Sequence, residues 1–600
     1  MDLDLPSEVW TEIFTLAADE DLIFQYALPT CMADSSWFKH VTGNWALRSP
    51  QEAVNLLMRR SYRTKKAILV TCKRWHEIAF ELMLRCLYFN TPAKLFDLCK
   101  ILESSSARAT TVTSSLGWWT RRLHVCSYSS AFFENQGIST EAVQNALVLI
   151  ISHCPNLQVF HVDWPMKQAF GPVANALMRF SKRSLRSVTW NVPTSALSKV
   201  IWALDSLKFV VAAHIEFESS SSTGEAEDEC VHLGSAHDLQ LNLRHIRQLS
   251  VRGYTQLFIE QAIGWLMPSL TMFSVDSGIS EGDLPDVAGF IAQHGEGLLF
   301  LDLDTSLALD VAKILDRCPQ LNSFTFNADW GIISNDDKES EIVNRPRPTI
   351  TTIGLHGLSH AFGVGVAALS ATSTHSRISQ RSNDMNFMAL NKKNFPNLRR
   401  IRVLDRSVLK GLNEAGQPSV ESGGMERWQR WWDRCALAGI QLQDCTGDDF
   451  GNLPDSYTSG SFSEDEEEYA ESEEEETIEG IEEESDEESS DEEGDEDEYD
   501  DDEYDDEDDD DDEYEYDDGQ DGPDWNAIIP PMPQDTPTER TQELRNLLEE
   551  CRVMSSERDD SMMPMFAMMG MGMGAGLSSY SDPHSEAMNA FERVYGPTRD

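Results

Sequence analysis

The first candidates for chemistry are histidines and glycines whose spacing could build a metal or phosphate site. His356 and His360 stand four residues apart, as two metal ligands on one turn of a helix would. Gly357 between them disfavours a helix, and the segment offers neither a glutamate nor a third ligand. We therefore interpret both as ordinary loop histidines. Gly363 and Gly365 lack the third glycine and the preceding strand of a dinucleotide-binding loop.

No other residues suggest catalysis. The 11 cysteines are scattered and include no Cys-x-x-Cys pair, as is typical of reduced thiols that pack in a core. The chain has no P-loop pattern, and its acidic runs lack the glycine-containing spacing of a calcium-binding EF-hand loop. The sequence therefore predicts no catalytic residue, no cofactor and no metal ligand, and we interpret the chain as a non-catalytic protein.

The charge of the chain is concentrated in one segment. Residues 464–524 hold 42 Asp and Glu residues and no Lys or Arg, whereas the other 539 residues hold 61 acidic and 48 basic ones. Such a segment has too few apolar side chains for a folded core. Direct binding to nucleic acid is disfavoured, because phosphate contacts need clustered Lys and Arg. Basic proteins are the expected partners of this acidic tract.

Neither secretion nor membrane insertion is expected. The N-terminal residues 1–4 are acidic at two positions and lack the basic-then-apolar pattern of a signal peptide. No apolar run approaches the length of about 20 residues that crosses a bilayer. Because free thiols favour a reducing compartment, we expect a cytoplasmic or nuclear protein.

Residues 1–100 show the apolar spacing of helices. The first predicted helix covers Leu5–Leu16, which has a proline near its start, acidic residues in its first turn and an apolar stripe made of Val9, Ile13 and Leu16. A polar and aromatic stretch follows at about 17–64. Two more helices are predicted after it, over 65–78 and 80–89.

Two motifs in this region resemble an F-box, a short three-helix motif that docks on the Skp-family adaptor of Skp–cullin–F-box ubiquitin ligases. They are the segment Leu5–Phe14, which reads LPSEVWTEIF, and the segment Leu69–Trp75, which reads LVTCKRW. With an insertion at about 17–64, the head is similar to the split F-box of fungal F-box-like proteins. An unrelated helical cap is the alternative. The resemblance implies that seven residues face the adaptor or pack the helices that do: Leu5, Pro6, Val9, Ile13, Phe14, Cys72 and Trp75.

Residues 121–445 contain a six-residue signature, apolar-x-x-apolar-x-apolar, that occurs eight times. It starts at Leu157, Leu185, Ile246, Leu270, Leu298, Leu321, Ile350 and Leu398. Helical patterns precede several copies, and the shorter spacings between copies lie near the 20–29 residues of a leucine-rich repeat. A doubly wound α/β sheet would also alternate helix and strand. We prefer a solenoid, because the strand signature recurs and no phosphate-binding glycine loop appears.

The predicted fold class is an α/β repeat, in which an all-α F-box-like head at 1–100 precedes an irregular leucine-rich-repeat solenoid at 121–445. A loop is expected at 371–383, within the solenoid. Residues 447–536 are predicted to be a disordered linker that contains the acidic tract. An isolated helix is predicted over 537–554, and a disordered Met/Gly-rich tail over 555–600.

Two functions follow from this organisation. In the first, the protein is the substrate-recognition adaptor of a Skp–cullin–F-box ubiquitin ligase: the head binds the Skp-family adaptor and cullin complex, and the solenoid holds a target protein whose identity the sequence does not reveal. In the second, it is a nuclear interaction protein whose acidic tract binds histones or other basic proteins, without a role in ubiquitin transfer. Neither needs a membrane, a nucleic acid or an enzyme activity of the chain itself.

Overall fold

The computed structural model describes residues 5–454, except ten short internal stretches. These are 41–42, 90–92, 110–114, 127–137, 219–232, 279–284, 306–307, 332–341, 366–367 and 369–372. The predictions for the acidic tract, for the helix at 537–554 and for the tail at 555–600 lie outside the described residues.

The described chain begins with helices and a short hairpin. These elements are α1 (Ser7–Ala17), α2 (Glu20–Ile23), the antiparallel pair β1 (Ser36–Lys39) and β2 (Trp45–Arg48), α3 (Pro50–Thr71) and α4 (Lys73–Arg85). A capping box starts α3: the Ser49 side chain accepts from the N–H of Glu52, and the Glu52 carboxylate accepts from the N–H of Ser49. Pro50 occupies the first helical position, where its missing N–H costs no hydrogen bond.

The next twelve strands form one sheet. They are β3 (Cys86–Phe89), β4 (Arg122–Val125), β5 (Val159–Pro165), β6 (Ser187–Pro193), β7 (Ala212–Glu218), β8 (Gln248–Gly253), β9 (Met272–Asp276), β10 (Phe300–Asp304), β11 (Ser323–Asn327), β12 (Thr352–His356), β13 (Arg400–Val403) and β14 (Gln441–Gln443). They lie side by side in chain order, from β3 at one edge to β14 at the other, and every neighbouring pair is parallel.

Parallel neighbours need crossover connections, and helices supply most of them. They are α5 (Ala93–Arg108), α6 (Thr140–His153), α7 (Phe170–Ala176), α8 (Leu197–Ser206), α9 (Gln256–Ile263), α10 (Val287–His294), α11 (Val311–Arg317), α12 (Thr374–Ala389), α13 (Arg406–Ala415) and α14 (Gly424–Ala438). Several start at a side-chain cap, such as Ser139 before α6 and Asp286 before α10.

The core lies between these helices and one face of the sheet. One row of buried apolar side chains crosses all twelve strands in register: Leu87, Leu123, Phe160, Val188, Ala213, Leu249, Phe273, Leu301, Phe324, Ile353, Ile401 and Leu442. All of them belong to a single apolar cluster that also contains the inner faces of the helices. The sheet therefore shares one continuous core from end to end.

The prediction of an all-α head followed by an irregular leucine-rich-repeat solenoid is wrong. The structure has one twelve-stranded, all-parallel sheet with alternating helices, which is an α/β architecture. Its first strand, β3, lies in the segment predicted to be all-α, and that segment also contains the β1–β2 hairpin. Residues 86–89 continue the apolar run of α4, and periodicity alone does not distinguish a short buried strand from the end of a helix.

The sequence predicts no membrane-spanning segment, and the length and apolar character of the helices test this prediction. Among the residues that the structure describes, none of the helices combines the length and the apolar character that a bilayer crossing requires.

Candidate functional site

The sheet face opposite the core carries a row of polar side chains. Because strand residues alternate between the two faces, the neighbours of the buried row point away from the core. In register from β3 to β14, these neighbours are Tyr88, His124, His161, Thr189, His214, Ser250, Ser274, Asp302, Thr325, Gly354, Arg402 and Gln443. This polar row does not build the core, so it is the first candidate for binding.

A second row, two residues further along the strands, contributes four carboxylates between β5 and β12. It includes Asp163, Glu216, Arg252, Asp276, Asp304 and His356. Arg252 Nε lies 3.0 Å from Asp276 Oδ2 and 3.8 Å from Glu216 Oε1. Burial raises the pKa of Glu216, Arg252 opposes this, and the carboxylates of Glu218 and Asp276 add to it. The row therefore carries more negative charge than Arg252 offsets.

The N-terminal segment Phe24–Ser35, which we call the strap, lies across this polar face. The side chain of Gln248 holds the backbone of Leu28 at two points: its Oε1 accepts from the Leu28 N–H at 2.9 Å, and its Nε2 donates to the Leu28 carbonyl at 3.0 Å. Nearer the start of the strap, Tyr26 Oη donates to Gln158 Oε1 at 3.2 Å. The strap is thus bound by side chains of the sheet and of the turn before β5.

Further contacts fix the far end of the strap. The Arg402 guanidinium on β13 donates to the Met32 carbonyl, and its Nη2 lies 2.7 Å from Asp34 Oδ1. The Ser35 N–H donates to the Cys445 carbonyl at 2.9 Å, just beyond β14. Between Tyr26 and Ser35 the strap therefore passes from the β5 side of the sheet to its C-terminal edge.

A cavity of about 420 Å³ lies between the strap and the sheet. Residues 28–31 and 49–51 line it from the strap side, and the two polar rows line it from β5 to β12. A larger hollow, of about 730 Å³, lies on the outer side of α14 and is lined by surface residues such as Glu426, Arg430 and Asp433. We place the candidate site in the strapped cavity, because histidines, carboxylates and a thiol converge there.

Asp302 is the most highly bonded side chain of the cavity. Its Oδ1 accepts from His356 Nε2 at 2.7 Å and from the Thr325 hydroxyl, and its Oδ2 accepts from Ser274 Oγ at 2.6 Å. Burial would raise the pKa of Asp302, but His356 and these hydrogen bonds lower it to about 2. Burial would lower the pKa of His356, but Asp302 and Asp304 raise it to about 9. At neutral pH the two groups are therefore a carboxylate and an imidazolium.

A second cluster lies at the other end of the polar row. His161 Nε2 is 2.6 Å from Asp163 Oδ1, and the His161 ring stacks on His124 with centroids 4.0 Å apart. His124 Nε2 is fully buried, without a hydrogen-bond partner in the part of the chain that the structure describes, and it lies 4.0 Å from Asp163 Oδ2. Burial, His161 and Arg122 hold the pKa of His124 well below its usual range.

Of the seven sequence-predicted site residues, Phe14 lies in the core of the head and Trp75, which is half-buried, packs against it. Phe14 is buried, and the Trp75 ring meets it edge-on at a centroid distance of 5.1 Å. Trp10 packs on both rings, at 5.6 Å from Phe14 and 5.0 Å from Trp75. The Phe14 side chain also belongs to a small apolar cluster with Ile68 and Leu69 of α3. The structure thus brings the two F-box-like motifs together.

The other five predicted residues lie at or near the surface of the head. Val9 and Ile13 are exposed at 41% and 40%, Pro6 and Cys72 are exposed, and Leu5 is half-buried. Arg74 Nη2 donates to the Leu5 carbonyl at 2.6 Å, which ties the segment before α1 to α4. The sequence did not show which of the seven predicted residues pack in the head and which are exposed. The structure separates the two groups.

Sequence reasoning missed the polar rows, the strap and His356. The signal for the rows was present: a polar residue stands between two apolar ones in most copies of the strand signature, as His161 does between Phe160 and Val162. His356 is the last residue of β12 rather than a loop residue, and it faces Asp302. For the strap the sequence holds no such signal, because its partners are remote along the chain.

No protein-family model matches the chain, and no curated protein is significantly similar to it.

Proposed function

We propose that the protein is a non-catalytic adaptor with two binding surfaces. Its head recruits a Skp-family adaptor of a cullin ubiquitin ligase, and the polar face of its sheet holds a target protein. The F-box resemblance of the two head motifs suggests the first partner. The strapped cavity supports the second role, since it is concave, is lined by polar side chains and lies on the sheet face opposite the core.

The observation that carries the proposal is an apolar stripe on the surface of α1. Val9, Ile13 and Leu16 follow one another at i, i+4 and i+7 and therefore share one side of the helix. They are 41%, 40% and 58% exposed, whereas Phe14 on the inner side is buried. A continuous row of apolar side chains that is exposed on the surface is typical of a protein–protein interface.

The acidic second row suggests what the target presents. Glu216, Asp276 and Asp304 line the cavity, with Arg252 among them as a counter-charge. A Lys or Arg side chain of a target would find carboxylate acceptors there and would offset their mutual repulsion.

Replacing Ile13 by Asp is expected to weaken binding to a recombinant Skp-family adaptor at least about 30-fold, which is the loss typical of one central interface anchor of about 2 kcal/mol. The reason is that a carboxylate would face the apolar partner. Isothermal titration calorimetry measures the affinity. The control is Ile378→Asp on α12, because Ile378 is 61% exposed and lies outside the head. Equal affinities of the two variants, or no binding by the wild type, would contradict the proposal.

The acidic tract favours a second candidate function, which is capture of basic proteins such as histones. The tract carries 42 negative charges in 61 residues and lies outside the described part of the chain. Its attraction to a basic protein should weaken with salt, because the screening length falls from about 30 Å at 0.01 M to about 8 Å at 0.15 M.

Deletion of residues 464–524 is expected to remove most of the salt-dependent affinity for histones. Titrations at several salt concentrations measure this loss. The control deletes 540–600, which has the same length but only ten acidic and six basic residues. If both deletions leave histone affinity at the wild-type value, the tract has no capture function.

A further inference from the structure

We propose that Cys31, Asp302 and His356 form a binding site for a zinc-type divalent transition-metal ion, which fastens the strap to the polar face of the sheet. The three residues come from the strap, from β10 and from β12. One candidate ligand atom from each, the thiol Sγ, a carboxylate oxygen and an imidazole nitrogen, lies within 4.8 Å of the other two.

The donor set suits zinc and its analogue cobalt. Zn²⁺ is bound by Cys sulfur, His nitrogen and Asp oxygen, and each of these occurs once in the cluster. A harder ion such as Mg²⁺ or Ca²⁺ prefers oxygen ligands alone, so the thiol and the imidazole select against it.

The surrounding side chains are those that orient metal ligands. A ligating histidine usually donates its second ring N–H to a carboxylate, and Asp304 Oδ2 lies 3.5 Å from His356 Nδ1. The hydroxyls of Ser274 and Thr325 donate to the Asp302 carboxylate, and the Thr325 hydroxyl is also 3.8 Å from the Cys31 thiol. Each of the three candidate ligands is thus contacted by a neighbour that limits its rotation.

The second cluster, His124, His161 and Asp163, is less suited to a cation, although its ligand atoms are as close together. The buried guanidinium of Arg122 places Nη2 3.4 Å from His124 Nδ1. A metal on Nε2 would require a proton on Nδ1, directly opposite the guanidinium N–H. The Cys31 cluster has Asp276 and Asp304 nearby instead, and both favour a cation.

A metal at this position would have a structural consequence. Cys31 is half-buried on the strap, whereas Asp302 and His356 belong to the sheet. Coordination would therefore close the strap over the cavity at its midpoint, between the contacts to Gln248 and Arg402. Because the cavity borders all three ligands, a water molecule could complete the coordination.

The test is a titration of the metal-free, full-length protein with CoCl₂, with excess MgCl₂ present to occupy the acidic tract. We expect one Co²⁺ per chain, with the near-ultraviolet charge-transfer absorption of a thiolate–cobalt bond. Cys31→Ser should abolish this absorption, and Asp304→Asn should weaken the affinity about 10- to 100-fold. The control Cys126→Ser removes another half-buried thiol, on the first residue after β4, and should leave the titration unchanged.

Folding is checked in the same samples by circular dichroism. Cys31 lies on the strap rather than in the core, so its serine variant should retain the wild-type spectrum. ZnCl₂ should raise the melting temperature of the wild type and of Cys126→Ser but not that of Cys31→Ser. The proposal is overturned if the wild type shows no stoichiometric thiolate band, or if that band persists in Cys31→Ser.

Discussion

Leu301→Asp is expected to unfold the sheet as a unit and to lower the free energy of unfolding by at least about 4 kcal/mol. Leu301 lies in the central part of the buried row, between Phe273 of β9 and Phe324 of β11, and has no exposed surface. The substitution removes a packed side chain and places a carboxylate among apolar neighbours. Since domains are stable by about 5–15 kcal/mol, this loss is a large share of the total.

The matched control is Leu299→Asp, two residues earlier, because Leu299 is 46% exposed. Urea denaturation followed by circular dichroism gives the midpoint for each variant, and the control should remain close to the wild type. A single transition at a much lower midpoint in Leu301→Asp would show that the continuous core unfolds cooperatively. Equal midpoints for the two variants would mean that Leu301 does not contribute to the core as its burial indicates.

The strand signature identified strands but not the architecture. Each of its eight copies overlaps a strand of the sheet: Leu157–Val162 overlaps β5 (Val159–Pro165), and Leu298–Leu303 overlaps β10 (Phe300–Asp304). The pattern encodes a buried face on a short strand, which any parallel sheet covered by helices requires. It carries no information on how many strands join or on where the sheet begins. The all-α assignment of the head missed β3 although Leu84–Phe89 also fits the signature, because these residues directly continue the apolar run of α4.

Helix α12 shows why composition misled the loop prediction at 371–383. Ser376, Ser379 and Ser382 lie at helical spacing and are buried. The amides of Asn383 and Asn386 donate to the Ala328 carbonyl at 3.0 and 2.8 Å. Serine and asparagine favour loops because they compete for backbone hydrogen bonds. Here the tertiary structure supplies backbone acceptors for the asparagines, and local propensity is overridden.

The strapped cavity was beyond sequence reasoning for a different reason. Cys31 and Thr325 are 294 residues apart, and Asp34 and Arg402 are 368 apart. No periodicity links residues at such separations, and the strap itself is neither helix nor strand. The floor of the cavity could be predicted from strand alternation once the register was known, whereas its strap side could not.

The head also contains an ion cluster, centred on Glu20 of the insertion, that composition alone does not reveal. Glu20 on α2 is almost fully buried, with Lys65 Nζ of α3 at 2.6 Å and Arg85 Nη1 of α4 at 2.9 Å. Arg85 also pairs with Glu81 at 2.7 Å, and its pKa is raised despite burial because both carboxylates favour its charge. One carboxylate thus links three helices of the head, including the two that support the proposed adaptor-binding surface.

Replacing Glu20 by Leu is expected to lower the free energy of unfolding by about 3–5 kcal/mol, because it leaves the Lys65 ammonium buried without the carboxylate it faces. Lys65 is only 3% exposed, whereas Arg85 is more accessible and keeps Glu81. The double variant Glu20→Leu/Lys65→Met should recover more than half of the loss, since an apolar pair of similar volume replaces the ion pair.

Asp21→Leu, at the exposed neighbouring position, is the control and should change stability by less than about 0.5 kcal/mol. The single variant Lys65→Met completes the set, and urea midpoints of the wild type and the four variants give the coupling between the two positions. Strict additivity of the two single substitutions would show that Glu20 and Lys65 do not stabilise the head as a pair.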